Sequence, residues 1–180
     1  MAILVQRGKG NKSYEEVGPE YPLAVEINQK DGAPDVPVVS RVHKTERRPV
    51  AGIGTGLAYA AADAFGTRFA IPVPPFGTIA SLVFLDYDDE GIPKEFVLFE
   101  REFTATTDND AFAVSDADLS SCVGVITVDV FNNFGNNQIA VASPALAYSA
   151  PGGYLYCQVV TRGADNIAAG SIPEFFMVIV

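Results

Sequence analysis

The sequence predicts an all-β protein, an antiparallel β-sandwich of jelly-roll type with an extended N-terminal arm. Short segments rich in apolar and aromatic residues recur from residue 68 to residue 180, and turn-forming residues separate them. Sixteen glycines and twelve prolines argue against long helices. No internal repeat of fixed period is visible in the sequence, which disfavours propellers and solenoids. A sandwich or jelly roll remains.

Charge divides the chain near residue 50. Residues 1–50 hold eight of the twelve Lys and Arg residues and seven of the 22 acidic residues, a net charge of +1. Residues 51–180 hold the other four cations and fifteen acidic residues, a net charge of −11. We therefore predict an extended arm over 1–50 and a sandwich domain, the predicted body, over 51–180, and a chain of 180 residues suffices for one such core.

The arm is predicted to lie against another protein surface. Its prolines prevent a helix or a central strand from running far. Tyr21, Leu23, Val25 and Ile27 alternate with other residues, which is typical of a strand with one buried face. This surface belongs to the body, a sister subunit or a partner. We expect these four residues to be its apolar anchors.

A group of cations follows the apolar anchors and is expected to make the charged contacts of the arm. An acidic protein surface is the favoured partner, because a cluster of this size is more often paired with carboxylates than with nucleic acid. The isoelectric point near 4.4 also disfavours nucleic acid as a partner of the body. The cations are Arg41, Lys44, Arg47 and Arg48.

Eight strands are predicted in the domain. The segment 78–87 is apolar on both faces and is therefore expected to be central. Ser115 is expected to cap a helical turn whose first residues are acidic. The predicted strands are 68–73, 78–87, 94–104, 123–131, 139–142, 145–148, 154–161 and 174–180.

Three motifs suggest chemistry, and each has a simpler interpretation. The glycines of 52–56 lack the βαβ context of a dinucleotide loop and indicate a flexible start of the domain. The loop 86–91 begins like a calcium loop, but its twelfth position is Val97; a hairpin turn is favoured and a cation stays possible. Glu100 and Glu102, about 6.6 Å apart on a strand, could serve a glycosidase but are common on outer faces.

We predict no enzyme and no cofactor or metal site. His43 is the single histidine and lies in the arm, so the body cannot assemble a nucleophile with a histidine base or a zinc site of His and Cys. Cys122 and Cys157 are expected to be thiols, with Cys157 in the core. No apolar run reaches the length of a membrane span, and the N-terminus lacks a signal-peptide pattern, so we expect synthesis in the cytoplasm.

Four runs of the body carry a family resemblance. They are Phe69-Ala-Ile-Pro with the central strand after it, Asn109-Asp-Ala-Phe-Ala-Val-Ser-Asp-Ala-Asp118, Cys122-Val-Gly-Val-Ile, and Gly153-Tyr-Leu-Tyr-Cys-Gln-Val-Val. Together they resemble small structural proteins of tailed bacteriophages, over residues 51–180. The resemblance implies a β-sandwich of the virion that acts through its surfaces, in several members as a capsid cement or decoration protein. It carries over no site residues.

From this resemblance we expect a homotrimer that binds the major capsid protein on the exterior of the shell and bridges neighbouring capsomers. The arm would add strand pairing along its partner. Two alternatives stay open. One is a component of the phage tail or baseplate, which shares the fold. The other is a carbohydrate-binding module or carboxylate glycosidase, in which Tyr154 and Tyr156 would be platforms for sugars.

Overall fold

The computed structural model describes two strands of the N-terminal region and all residues from Val42 to Val180. Residue contacts divide the chain into the units 1–41 and 42–180. In the first unit, β1 (Ile3–Arg7) and β2 (Ser13–Val17) pair antiparallel. The predicted anchors and one predicted cation, Tyr21, Leu23, Val25, Ile27 and Arg41, lie outside the described residues.

The second unit adds residues 42–50 to the predicted domain, and from here on the body means residues 42–180. It is built almost entirely of strands. It contains one helical turn, α1 (Asp116–Leu119), whose first turn is capped by the side chain of Ser115 as predicted. The strands are β3 (His43–Lys44), β4 (Arg48–Pro49), β5 (Ala64–Pro72), β6 (Phe76–Asp86), β7 (Lys94–Phe99), β8 (Cys122–Val128), β9 (Phe131–Asn133), β10 (Gln138–Ala142), β11 (Leu146–Ser149), β12 (Tyr154–Thr161) and β13 (Glu174–Ile179).

These strands form two antiparallel sheets. The large sheet has seven strands in the order β3-β13-β6-β10-β9, with β4 also paired to β13 and β11 also paired to β6. The small sheet has the order β5-β12-β7-β8. Every pairing is antiparallel, which confirms the predicted all-β class. The β6 strand lies between β13 on one side and β10 with β11 on the other, so the predicted central strand is confirmed.

Aromatic residues join the inner faces of the two sheets. Phe84 of β6 and Phe96 of β7 meet edge to face with ring centroids 5.9 Å apart, and Phe96 lies 5.1 Å from Phe175 of β13. All three rings are at most 1% exposed. Because side chains alternate along a strand, Phe176 then points to the outer side of the large sheet. The two layers therefore share one core, as in a sandwich.

The outer face of the small sheet is covered by the chain itself. A second apolar cluster joins Val97, Phe99 and Val160 of the sheet to Phe103 in the connection between β7 and β8. Phe103 stacks on Phe99 with ring centroids 3.9 Å apart and is 2% exposed. The predicted strand 94–104 was therefore too long. It ends at Phe99 because the chain turns back there to place Phe103 over the sheet. We call residues 100–121 the covering loop.

Asp108 fixes the covering loop to the start of the domain. Its carboxylate accepts hydrogen bonds from the backbone N–H of Gly54 (2.8 Å), from the backbone N–H of Gly66 (2.7 Å) and from the hydroxyl of Tyr59 (2.9 Å). The burial of Tyr59 and the negative charge of Asp108 raise the pKa of the Tyr59 hydroxyl. The glycine segment 52–56 therefore holds a carboxylate through a backbone N–H.

The large sheet includes residues that the charge pattern had assigned to the arm. His43 and Lys44 pair with Ile179 and Val178, and Arg48 pairs with Phe175. Between them, the N–H of Thr45 donates to the carbonyl of Met177 at 2.9 Å. The contact boundary at 41/42 thus precedes the charge boundary near residue 50, because residues 42–50 cover the edge of β13.

Candidate interaction surface

Residues 42–50 carry three of the predicted contact residues to the border of the large sheet. Lys44 lies opposite Val178 in the β3–β13 pairing. Its Nζ atom lies 4.1 Å from the ring centroid of Phe176, a cation–π contact on the outer side of the sheet. Lys44 itself is exposed, so its charge stays accessible while its ammonium lies over the aromatic ring.

Arg47 and Arg48 have different surroundings. The Nε atom of Arg47 lies 3.9 Å from Glu174, and 55% of its side chain is exposed. Arg48 donates from Nη1 to the carbonyl of Ala70 in β5 at 2.6 Å, so it links the edge of the large sheet to the edge of the small one. Its Nε atom is buried and has no hydrogen-bond partner among the described residues. Arg47 therefore lies at the surface, whereas Arg48 makes its contact within the body, to β5.

A cleft of about 270 Å³ opens beside these residues. It lies between residues 43–48 and the end of β5. Since its walls hold an ammonium and a guanidinium beside a single carboxylate, its charge suits an acidic side chain. The lining residues are His43, Lys44, Thr45, Glu46, Arg48 and Pro72.

An apolar surface occupies the outer side of the large sheet. Val141 of β10 lies opposite Val83 of β6, and Val83 lies opposite Phe176 of β13. Val141 is 53% exposed, and the other members are partly buried. No described loop covers this side in the way that the covering loop covers the small sheet. We call it the outer apolar face, and its members are Val83, Leu85, Ile139, Val141, Phe176 and Val178.

Polar groups border the outer apolar face. The hydroxyl of Tyr87, directly after β6, donates to Glu174 at 2.8 Å, and Arg47 approaches the same carboxylate. Partial burial and the charge of Glu174 raise the pKa of Tyr87. An apolar centre with a polar rim is the usual anatomy of a protein–protein interface. The predicted residues Lys44 and Arg47 belong to this rim.

The acidic loop 86–91 is a turn whose carboxylates already have hydrogen-bond donors. Asp86 accepts the N–H groups of Asp88 and Gly91, each at 3.0 Å. Asp89 accepts the side-chain amides of Gln138 (2.6 Å) and Asn133. In the described part of the chain, no group of three or more His, Cys, Asp or Glu residues has the arrangement of a metal site. The turn interpretation accounts for these residues.

The paired carboxylates of the glycosidase hypothesis do not lie on a strand. Because β7 ends at Phe99, Glu100 and Glu102 fall in the covering loop, and the strand spacing predicted for them is wrong. Both are exposed. Glu102 forms an ion pair with Arg68 of β5. This pair secures the loop to the edge of the small sheet.

The two tyrosines of the sugar-binding alternative differ in their exposure to solvent. Tyr154 is 47% exposed at the start of β12. Tyr156 is partly buried and packs against the cluster beneath the covering loop. They therefore do not form a pair of equally open platforms.

Both cysteines are free thiols, as predicted. Cys157 is fully buried in the core, and burial raises the pKa of its thiol well above the usual value. Cys122 is partly buried beside the second apolar cluster.

Comparison with protein-family models gave no match, and comparison with curated proteins gave none either. The single helix in the described residues has four residues, so it is too short to cross a membrane. The charge pattern singled out Lys44 and Arg47, whose role in binding stays a prediction, and it gave no indication of the outer apolar face. Its signal was present in the two-sided apolar pattern of 78–87, which was used only to place that strand in the centre.

Proposed function

We propose that this protein is a structural component of a bacteriophage particle, a cement protein that binds the major capsid protein on the outside of the shell. The outer apolar face is the observation that carries the proposal. It presents apolar side chains from three neighbouring strands, β10, β6 and β13, next to a charged rim. Exposed apolar patches with polar rims are typical of surfaces that bind other proteins.

The rim supplies orientation for this docking. Lys44 and Arg47 are cations at one border of the face, and the body as a whole is acidic. Rim charges contribute more to the rate and register of association than to affinity, because they stay partly solvated. We therefore assign affinity to the apolar centre and register to Lys44 and Arg47.

Trimerisation would strengthen the binding by linking several such faces. Each subunit of a trimer would contact a different capsomer. Once one subunit is bound, the other two would be held at a high effective concentration near their own sites, so the trimer would hold the capsomers together across the seam. Residues 1–41 would add further contacts along the shell or a sister subunit. Their anchors are Tyr21, Leu23, Val25 and Ile27, with Arg41 at the junction to the body.

Co-sedimentation with capsid shells that lack this protein tests the proposal. The wild-type protein should sediment with the shells, and Val141→Asp should weaken binding by at least about tenfold, since a carboxylate would be buried in an apolar contact. Val125→Asp is the matched control: Val125 is also an exposed strand valine (47%), but it lies on β8 of the small sheet. It should bind like wild type.

Equal binding by both variants and the wild type would rule out the outer apolar face as the docking surface. A wild-type protein that fails to bind shells but is found in isolated tails would favour the tail or baseplate alternative. Particle images at near-atomic resolution would locate the protein directly and count its copies.

A further inference from the structure

A buried lysine and a buried aspartate meet away from the outer apolar face. Lys94 is the first residue of β7, and Asp165 lies in the connection between β12 and β13. The Nζ atom of Lys94 is 2.6 Å from Oδ2 of Asp165. Their side chains are 3% and 0% exposed. Two opposite charges are thus removed from water almost completely.

The hydrogen bonding of this pair is incomplete. Lys94 donates to the carbonyl of Ile92 at 2.7 Å and lies 4.8 Å from the ring centroid of Phe65. Oδ2 of Asp165 also lies 3.4 Å from the hydroxyl of Thr161. Oδ1 of Asp165 is buried and has no hydrogen-bond partner in the described part of the chain. An ionised carboxylate with one unsatisfied buried oxygen is costly.

The surroundings favour the neutral form of Lys94. Burial lowers the pKa of Lys94, against the opposing effect of Asp165 and of the acidic groups Asp86 and Glu90. Desolvation and the charges of Asp165, Asp88 and Asp86 raise the pKa of Glu90. Across the 2.6 Å contact, transfer of one proton from the ammonium to the carboxylate would give an amine directly beside a carboxylic acid.

We propose that Lys94 and Asp165 form a spontaneous isopeptide bond inside the body. The lone pair of the Lys94 amine attacks Cγ of Asp165, and a C–N bond forms as one C–O bond of the carboxyl group breaks. The departing oxygen leaves as water with the carboxyl proton and one proton of the amine. The product is an amide, and no oxidant or further reactant is needed. The contact of the two groups supplies the proximity that the reaction requires.

The bond would tie the small sheet to the connection that leads into the large sheet. Asp165 also pairs through its backbone with Tyr59, so the linked connection lies against the start of the domain. A covalent link between residues 94 and 165 would keep the two layers together under mechanical load. This inference does not depend on the proposed function.

Intact-mass measurement of the purified full chain tests the proposal. The wild-type mass should lie about 18 Da below the mass of the sequence, the loss of one water in amide formation. Peptide sequencing by mass spectrometry should find Lys94 and Asp165 in one cross-linked species. Lys94→Arg should restore the sequence mass. Asp165→Asn should still react but release ammonia, with a loss of about 17 Da.

The exposed ion pair between Arg162 and Glu95 provides a matched control, because it lies close to the buried pair in sequence. Glu95→Gln should keep the full mass loss. A wild-type protein that retains the sequence mass after prolonged incubation at pH 6 and pH 8 would overturn the proposal. The proposal would also be overturned if Lys94→Arg lost as much water as the wild type does. The lost water would then come from another reaction, such as succinimide formation at Asp31-Gly32, which gives the same mass change. If Lys94→Arg does not fold, the cross-linked peptide of the wild type decides.

Discussion

The two outer faces of the sandwich differ in what covers them. On the small sheet, the covering loop lays Phe103 over Phe99 and buries both rings. On the large sheet, Val141 is half exposed, and the partly buried ring of Phe176 has the ammonium of Lys44 over it. The chain therefore uses its own residues to complete one face. The other keeps apolar side chains whose burial would need a partner.

Removal of the covering aromatic ring should have the largest effect on this difference. Phe103→Ala would leave a cavity against Phe99, and we expect the free energy of unfolding to fall by about 3–5 kcal/mol. Phe176→Ala, on the outer apolar face, is the matched control and should cost much less because its ring is already partly exposed. Chemical denaturation of the two variants measures both values. Equal losses would show that the two faces are covered equally well.

Asp108→Asn tests the polar attachment of the covering loop. The amide would keep one acceptor oxygen and place its NH2 donor against one of the two N–H groups of Gly54 and Gly66, so about 2 kcal/mol of stability should be lost. Asp110→Asn, at an exposed position two residues away, should change little. Hydrogen exchange should show faster exchange in residues 100–121 of the first variant only. Unchanged exchange there would mean that apolar packing alone holds the loop.

Lys44→Ala tests the outer apolar face with a smaller change. Loss of the cation–π contact with Phe176 should lower the free energy of unfolding by about 0.5–1 kcal/mol. Lys44→Arg keeps the cation over the ring and should stay close to the wild type. Thermal denaturation of the three proteins provides the measurement. A loss well above this range would indicate that Lys44 also supports the pairing of β3.

The smallest expected effect is the acid sensitivity of the covering loop. The N–H of Thr104 and the hydroxyl of Ser115 donate to Asp118 and lower the pKa of its carboxyl group. Because the folded pKa lies below the unfolded one, this stabilisation is complete above the unfolded value and is lost as the pH falls through the folded value. The protection of the amides in residues 104–118, measured relative to their intrinsic exchange rates, should therefore fall below about pH 4. In Asp118→Asn this pH dependence should disappear.

Local patterns sufficed for most strands of the body. The alternation in 154–161 predicted β12 with its exact bounds, and Leu155, Cys157 and Val159 are buried as that pattern requires. Gln158 lies on the other side of the same strand and is also fully buried, because the covering loop supplies the carbonyl and the N–H of Thr106 as its partners. The sequence of β12 holds no sign of a loop that returns from another strand.

Non-local contacts also explain what the charge pattern missed. Residues 42–50 are cationic and contain a proline, which favoured an arm over a strand. Their pairing partner is β13, at the far end of the sequence, and no local signal announces it. Lys44 and Arg47 were identified from charge alone. The outer apolar face could not be identified from the sequence, since its members become neighbours only through the registers of β10, β6 and β13.

The pairing of His43 with Ile179 brings the first and last residues of the body to one corner. A short linker from Val180 to Val42 would therefore close the body into a ring without stretching either sheet. New termini could be opened in the exposed turn at Pro151 and Gly152. Such a circular permutant would keep both layers, because permutation is tolerated where termini are close and the new ends are exposed. It would also present the body without the preceding 41 residues and keep β3 and β4. A truncation at residue 50 would remove both strands.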